Sequence, residues 1–371
     1  MDRFGKQTSW LELFYDVAYI ALVAQLTYLL TDFHYTPTDY FNAFLVGYAI
    51  FITWWGTTAN RNLQPVEGTN DKLLIQLQMV GAFLMSIAMP GVFIGGYAGF
   101  FLTVAAMRAL QACMILRMYY YHPESRPVTY NMLEGFSVAV VLWISAALAP
   151  LPYHYLFAGL AFLLDVLVPL TRGRGNETRY LNVYHLQERL GLFLMLVIGE
   201  SMIVVALANT VNLLTLTQPL VMFSGLGLMV ALWWLYFEHS DRHLGVRPRN
   251  LFVFLHSHAL LFGSIILLSV GYKLVLEGDE SVTAIRFVTL GALGVALAIL
   301  FIRGMLHHVC ARSIMLVIVL LLIGIGLGTT GLLVERVYET VVGITLLFGV
   351  VAVLDAYAIF ADPKKAPQTR S

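Results

Sequence analysis

HLQERLGLFLMLVIGESMIVVALA, residues 185–208, is long enough to cross a bilayer and carries one carboxylate, Glu200, near its middle. A hydrocarbon core is roughly 30 Å thick and an α-helix rises about 1.5 Å per residue, so about twenty apolar residues span it. Lipid cannot solvate Glu200. An ionisable group at that depth costs several kcal/mol unless it is paired, protonated or turned to a polar cavity, which marks Glu200 as a functional candidate. Arg189 lies eleven residues earlier, and at about 100° per residue it returns to within about 20° of the same helix face. Ser201 follows the acid directly.

Outward from this segment, the whole chain has membrane composition. Of its 371 residues 59% are hydrophobic and 12% charged, against about 25% charged in a soluble domain. Mean hydropathy is +0.78. Formal charge is zero, so no basic surplus points to nucleic acid as a partner. The two cysteines, Cys113 and Cys310, sit in or beside apolar segments and do not form a disulfide framework. The N-terminus, MDRFGKQTSW, runs into a full-length apolar span with polar residues inside it and no small-x-small cleavage site, so it reads as a first transmembrane helix rather than a signal peptide.

Apolar runs punctuated by Pro, Gly and charge give twelve expected spans, near 10–31, 39–59, 73–90, 96–118, 133–149, 153–170, 185–208, 218–238, 251–273, 282–303, 312–333 and 337–360. Sixteen of the Lys and Arg residues fall in loops on one side and only Lys273, Arg286 and Arg336 on the other. Because cytoplasmic loops retain positive charge, this asymmetry puts both termini in the cytoplasm.

The two halves carry matching residues in the same order. The pairs Trp54/Trp55 and Trp233/Trp234 are 179 residues apart, and Arg108 and Arg117 match Arg303 and Arg312 at 195. Asp165 and Asp355 match at 190, and Asp16 and Glu200 at 184. Six spans separate each pair, so two parallel six-helix repeats are expected, related by an axis along the membrane normal. The expected divisions are a first repeat over 1–170, a cytoplasmic linker over 171–184, a second repeat over 185–361 and a disordered tail over 362–371.

Ser9 and Glu12 fit a capping box at the start of the first span. Asp16, one turn further on the same face, serves no cap and is expected to line a cavity or join an ion pair. Arg108 is mid-span with no short route to the interface, and its expected partners are Asp16 or Glu200. Asp165, Asp355 and Arg303 fall toward the cytoplasmic ends of their spans, where water is expected to reach them. His185, His239, His243, His256, His258, His307 and His308 gather on that side too. His239 and His243, with Glu238 or Asp241, are of metal-binding type, but no H-E-x-x-H or paired-Cys pattern accompanies them, and no metal or other cofactor is assigned. His256 and His258 are two apart and point to different sides of a helix. The Trp pairs read as an aromatic belt at the interface. No phosphate-binding loop, dinucleotide fingerprint or nucleophile elbow occurs in a credible context.

ELFYDVAYIALVAQLT (Glu12–Thr27) and ERLGLFLMLVIGESMIVVA (Glu188–Ala206) closely resemble the low temperature requirement protein A (LtrA) family of bacterial membrane proteins. In that family an ELF[FY]D run opens the first helix and an ERxGLF…GES run recurs mid-chain. FLHSHALLFG (Phe254–Gly263) is also similar to a His-containing family segment. The resemblance implies Glu12, Asp16, Glu188, Arg189, Glu200 and Ser201 as signature positions, a membrane location and a link to growth under cold or other stress. It brings no biochemical activity.

The sequence therefore reads as a bacterial inner-membrane protein that is a channel or secondary transporter for protons, small ions or a small solute, and not an enzyme. Its partners are the lipid bilayer and the transported species, and assembly into a homo-oligomer is compatible with it. The intramembrane site is expected at Glu12, Asp16, Arg108, Arg189, Glu200 and Ser201, with Glu200 as a proton- or ion-binding residue. Asp165, Glu188, His256, His258, Arg303 and Asp355 stand behind them. The alternatives are a membrane enzyme or a metal- or haem-binding protein using the cytoplasmic His cluster, and a stress sensor without transport. A reporter fused after Lys364 should be active on the cytoplasmic side; activity of that fusion outside the cell would contradict the charge reading.

Overall fold

A computed structural model describes residues 8–31, 35–63, 68–172, 181–208, 217–245, 248–278, 282–306, 309 and 311–360, without the side chains of 168–172, 241–243 and 358–360. The tail, most of the linker, and the side chains of His243, His307, His308, Asp241 and Cys310 lie outside the described residues. The described chain is helical throughout. Its long helices are α1 (Trp10–Thr31), α2 (Pro37–Leu63), α3 (Thr69–Ala88), α4 (Ala98–Tyr121), α5 (Arg126–Leu148), α6 (Tyr153–Arg172), α7 (Val183–Ala206), α8 (Thr217–His243), α9 (Leu251–Leu276), α10 (Val282–Met305), α11 (Ala311–Val334) and α12 (Val337–Phe360).

Ten of these helices are long and apolar enough to cross a membrane, where the sequence led us to expect twelve spans. The two exceptions are instructive. In α6 the described apolar stretch, Tyr153–Leu167, is short. In α2 the length is ample, but Asn42, Thr53, Thr57, Thr58, Asn60, Arg61 and Asn62 are all buried. A helix whose interior face is made of hydrogen-bonding side chains loses the apolarity of a lipid span. That same face becomes the backbone of the site described below.

The chain divides into two compact units, Met1–Leu192 and Phe193–Ser371, the division falling inside α7. In the first, α4 packs against α2, α3 and α5, and α1 against α2 and α3. In the second, α9 pairs with α10, α10 with α11, and α8 and α11 with α12. The α9–α10 pairing brings backbone against backbone. A methyl group at Gly291 would fall 2.8 Å from both Leu268 N and Ser264 O, and one at Gly271 would fall 2.9 Å from Val288 N. Without a hydrophobic driving force between helices in lipid, such small residues let dispersion contacts and close approach do the work. The ends of α9 are closed locally: Asn250 Oδ1 accepts from Val253 N at 3.1 Å, and Gly278 takes the left-handed conformation at φ +89° just past the last turn.

Gly291→Ala should force α9 and α10 apart and cost about 1–3 kcal/mol, the range for overpacking. A lower unfolding midpoint in detergent would show it. Gly263→Ala, where nothing lies within 4 Å of the added carbon, should leave the midpoint unchanged or raise it; equal loss at both positions would contradict the packing argument.

Candidate functional site: a buried polar line in the first unit

Glu12 and Asp16 of the first unit are buried, Asp165 is nearly so, and each meets a guanidinium. The line begins at the N-terminus of α1, where Ser9 N and Oγ donate to Glu12 Oε2 at 2.8 and 3.0 Å and Glu12 N donates to Ser9 Oγ at 3.3 Å. This is the expected capping box. It uses only one oxygen of Glu12. The other, Oε1, lies 3.2 Å from His185 Nε2 and 3.8 Å from Arg61 Nε. His185 is held on its second nitrogen by Asn62 at 3.2 Å, and Asn62 clasps the Asn182 backbone, donating to its carbonyl and accepting from its N–H, both at 2.8 Å. Glu188 accepts from Thr8 N and Oγ1 at 3.2 and 2.7 Å. The beginning of α7 is thereby tied to the beginning of α1 and the end of α2.

One turn along α1, Asp16 is fully buried. Its Oδ1 accepts from Arg189 Nη2 and from Trp54 Nε1, both at 2.7 Å, and Arg189 sits 5.9 Å over the Trp54 ring. Thr58 Oγ1 accepts a longer bond from Arg189 Nη2 at 3.4 Å. Trp54 is therefore an interior residue and not part of an interfacial belt, as the sequence had led us to expect. The indole N–H is needed by a carboxylate that has no water.

Tyr15 and Tyr19 continue the same stripe of α1. Tyr15 OH donates to Tyr19 OH at 2.9 Å and approaches Thr53 O at 3.4 Å. Tyr19 lies within electrostatic reach of both Asp16 and Arg108, and Tyr15 of Arg189. Gln111 then joins α2 to α4: its Nε2 donates to Thr53 O at 2.6 Å and to Thr57 Oγ1 at 3.2 Å, and its Oε1 accepts from Arg108 Nη1 at 3.1 Å. Gly56 makes room for this amide, since a methyl group there would fall 2.3 Å from Gln111 Oε1. Arg108 Nη2 ends the line on Asp165 Oδ1 at 2.6 Å. Tyr48 OH is buried beside this pair. Beyond it the rings of Phe44, Tyr48 and Phe162 pack at centroid distances of 4.3 to 6.3 Å.

The partner of Arg108 is thus Asp165, neither Asp16 nor Glu200. Two physical reasons account for this. Arg189 and Trp54 already occupy Asp16. And α6 runs on to Arg172, which sets Asp165 two turns inside its helix rather than at the rim. Glu200 stands apart, half-buried on α7 with no hydrogen bond or ion pair to a described residue, next to the buried Ser201. The sequence also passed over Thr53, Thr57, Gln111 and Gln78, whose Oε1 accepts from Thr57 Oγ1 at 2.8 Å, and the unusual density of Thr and Asn in the second half of α2 is the signal that could have found them.

The second unit holds a related pair. Arg303 on α10 meets Asp355 on α12 through two bonds, Nη2–Oδ2 at 2.7 Å and Nη1–Oδ1 at 3.3 Å, as Arg108 on α4 meets Asp165 on α6. Both residues are only 1% exposed, not watered at a rim. Here both carboxylate oxygens are doubly engaged: Ser313 Oγ donates to Oδ1 and His239 Nε2 lies 3.1 Å from Oδ2, while Arg303 also donates to Leu235 O at 2.8 Å and Ser313 Oγ at 2.9 Å. Ser313, His239 and Asp355 do not make a nucleophile relay, which needs Ser and Asp on opposite imidazole nitrogens; Ser313 Oγ meets the same Nε2, at 2.8 Å. Arg303 Nε is the guanidinium nitrogen of this cluster left without a partner among the described residues. In the first unit the carboxylates too have oxygens to spare: Asp16 Oδ2, Asp165 Oδ2, Arg189 Nε and Nη1, Arg108 Nε and Tyr48 OH are buried with no hydrogen-bonding partner among the described residues.

His258 is a core residue: its Nδ1 donates to Phe254 O at 2.7 Å, so Nε2 accepts from Tyr236 OH at 2.9 Å. His256, on another side of α9, bonds Phe252 O at 2.9 Å. Among the described residues no group of three or more His, Cys, Asp or Glu side chains is placed to hold a metal ion.

An all-helical chain with ten candidate spans and charges paired in its interior defines a multi-pass membrane protein. The chain belongs to the bacterial low temperature requirement A protein (LtrA) family, whose model matches residues 7–354. It is also similar to an uncharacterized protein of Rhizobium meliloti (strain 1021), 24% identical over 281 residues, which cover 71% of this chain and 68% of that one. No solved structure matches the chain. The ELFYD and ERLGLF motifs meet in the first unit through Asp16–Arg189, and Glu12 of the first meets His185, three residues before the second.

Removing one partner of a buried pair leaves an uncompensated charge and costs about 3–5 kcal/mol, whereas replacing both by apolar groups is often neutral. Asp355→Ala should therefore lower the unfolding midpoint in detergent strongly, and Asp355→Leu with Arg303→Met should recover most of it. A double variant as unstable as the single one would show that the pair contributes through more than charge compensation.

Proposed function

We propose that this protein is a channel or secondary transporter of the bacterial inner membrane that moves protons, a small ion or a small solute through its first unit. The observation that carries the reading is the contrast between the two buried clusters. Asp355 has no oxygen to spare, so its cluster serves as a tie between α10, α12 and α8. Asp16, Asp165, Arg108 and Arg189 keep hydrogen-bonding capacity in a place where each unmade bond costs about 1–3 kcal/mol. Intramembrane ionisable groups that face a bundle interior are the usual material of substrate and ion pathways.

On this reading α2 and α6 complete a bundle of twelve helices, and the chain is a duplication. The pairs Arg108–Asp165 and Arg303–Asp355 support it, for each joins the fourth and sixth helix of its own set. Two parallel six-helix repeats with both termini cytoplasmic are proposed. A part in growth at low temperature rests on the family description alone.

Purified protein in liposomes should carry at least one ion or small solute above the rate of empty vesicles. Asp16→Asn keeps the bond to Trp54 but removes the charge; it should cut that flux about tenfold or more, a transition-state difference of about 1.4 kcal/mol. Absence of flux across a panel of ions, or a folded Asn variant at wild-type rate, would refute the reading.

A further inference from the structure

The chemistry of the line selects among the candidates for what moves. A metal cation needs several oxygen ligands to replace its water, but here every one of these acids already has an oxygen beside a guanidinium or an imidazole ring: Glu12 beside Arg61 and His185, Asp16 beside Arg189, Asp165 beside Arg108. A bare cation entering the line would meet three fixed positive charges. An anion would be drawn to Arg189 but would meet Glu12 and Asp16 within one turn of each other on α1. Acids and guanidiniums match one for one. What the line offers in excess is a mixture of buried donors and acceptors, Arg189 Nε and Nη1, Asp16 Oδ2, Tyr48 OH and Asp165 Oδ2, together with the hydroxyls of Tyr15 and Tyr19, which are bonded to each other and lie within electrostatic reach of Arg189, Asp16 and Arg108. Groups that both give and take hydrogen bonds suit water and protons rather than ions of fixed sign.

Resting on the transport reading above, we infer that the species carried by the first unit is the proton, passed between the Asp16 end and the Asp165 end of the line by way of the Tyr15–Tyr19 hydroxyl pair. At each hop one O–H bond forms as another breaks, the hydroxyl oxygen receiving a proton on one side while its own leaves on the other. Net charge and oxidation state are unchanged, so no co-reactant is required. Tyr15 and Tyr19 are 1% and 0% exposed, so their hydroxyls are shielded from outside solvent and serve only the interior of the bundle. The arginines act as positioning residues that keep Asp16 and Asp165 facing the line.

The test uses the full chain in liposomes loaded with a pH-sensitive dye, the membrane potential clamped by potassium and valinomycin. Potassium and chloride fluxes are measured on parallel vesicles. Proton flux is expected in the wild type, slowed in D2O, and reduced about tenfold or more by Tyr15→Phe and by Tyr19→Phe, because each removes the one O–H that its position can hand on. Tyr272→Phe, a buried tyrosine of the second unit, serves as the control and should keep wild-type flux. Proton flux that is insensitive to both Phe substitutions and to D2O would overturn the hydroxyl route. Potassium or chloride flux without proton flux would overturn the proton assignment while leaving transport standing. No flux of any species would overturn both. The isotope comparison and the ion panel use unaltered protein and so test the proton assignment whatever the Phe variants do, and either Phe variant that folds tests the hydroxyl route by itself: wild-type proton flux in it would overturn that route.

Discussion

The bond between Asp16 and Arg189, 173 residues apart in the chain, is the constraint on which the first unit depends. A guanidinium or carboxylate in a hydrocarbon layer cannot be left alone, because the solvation it gave up amounts to several kcal/mol even after relaxation. The start of α7 must therefore lie against α1. Trp54 then has its place fixed, since its N–H completes the same carboxylate oxygen. Glu12, one turn earlier, meets His185, one turn before Arg189, so the two helix starts are held by two rungs of the same ladder. The Asn62 clasp on Asn182 adds a third attachment from the end of α2.

Buried pairs of this kind can do two different things, and the arithmetic of their oxygens separates them. Asp355 accepts from Arg303 at both oxygens and has Ser313 and His239 besides. Such a group has no reason to exchange partners. Asp16 and Asp165 each use one oxygen, and their guanidiniums keep N–H groups unbonded. Within a low-dielectric interior that spare capacity is costly, and natural proteins keep such groups where they bind or pass something. On the transport reading proposed above, the same arrangement, Arg on α4 or α10 and Asp on α6 or α12, serves as a tie in one unit and as the end of a route in the other.

Much of this was legible from residues alone. The membrane class, the spans of α1, α3 to α5 and α7 to α12, the capping role of Glu12 and the importance of Asp16 and Arg189 follow from hydropathy, periodicity and the two motifs. Pairing was not legible, because which acid meets Arg108 depends on how far α6 extends and on whether Asp16 is already taken. Nor was the nature of α2 legible, where Trp54 looks like a belt residue until its partner is known. The polar side chains Thr53, Thr57 and Gln111 are ordinary in a soluble helix and gain meaning only when burial removes water from them.

The claim that the first unit holds a line able to exchange protons or water, and the second a closed tie, is tested most directly by radiolytic hydroxyl labelling of the folded protein in lipid. Tyr15, Tyr19, Met114 and Tyr272 are all shielded from outside solvent. Labelling from internal water should reach Tyr15, Tyr19 and Met114, whose sulfur lies 3.6 Å from Nε2 of Gln78, the partner of Thr57, and spare Tyr272. Equal protection of all four would contradict the account.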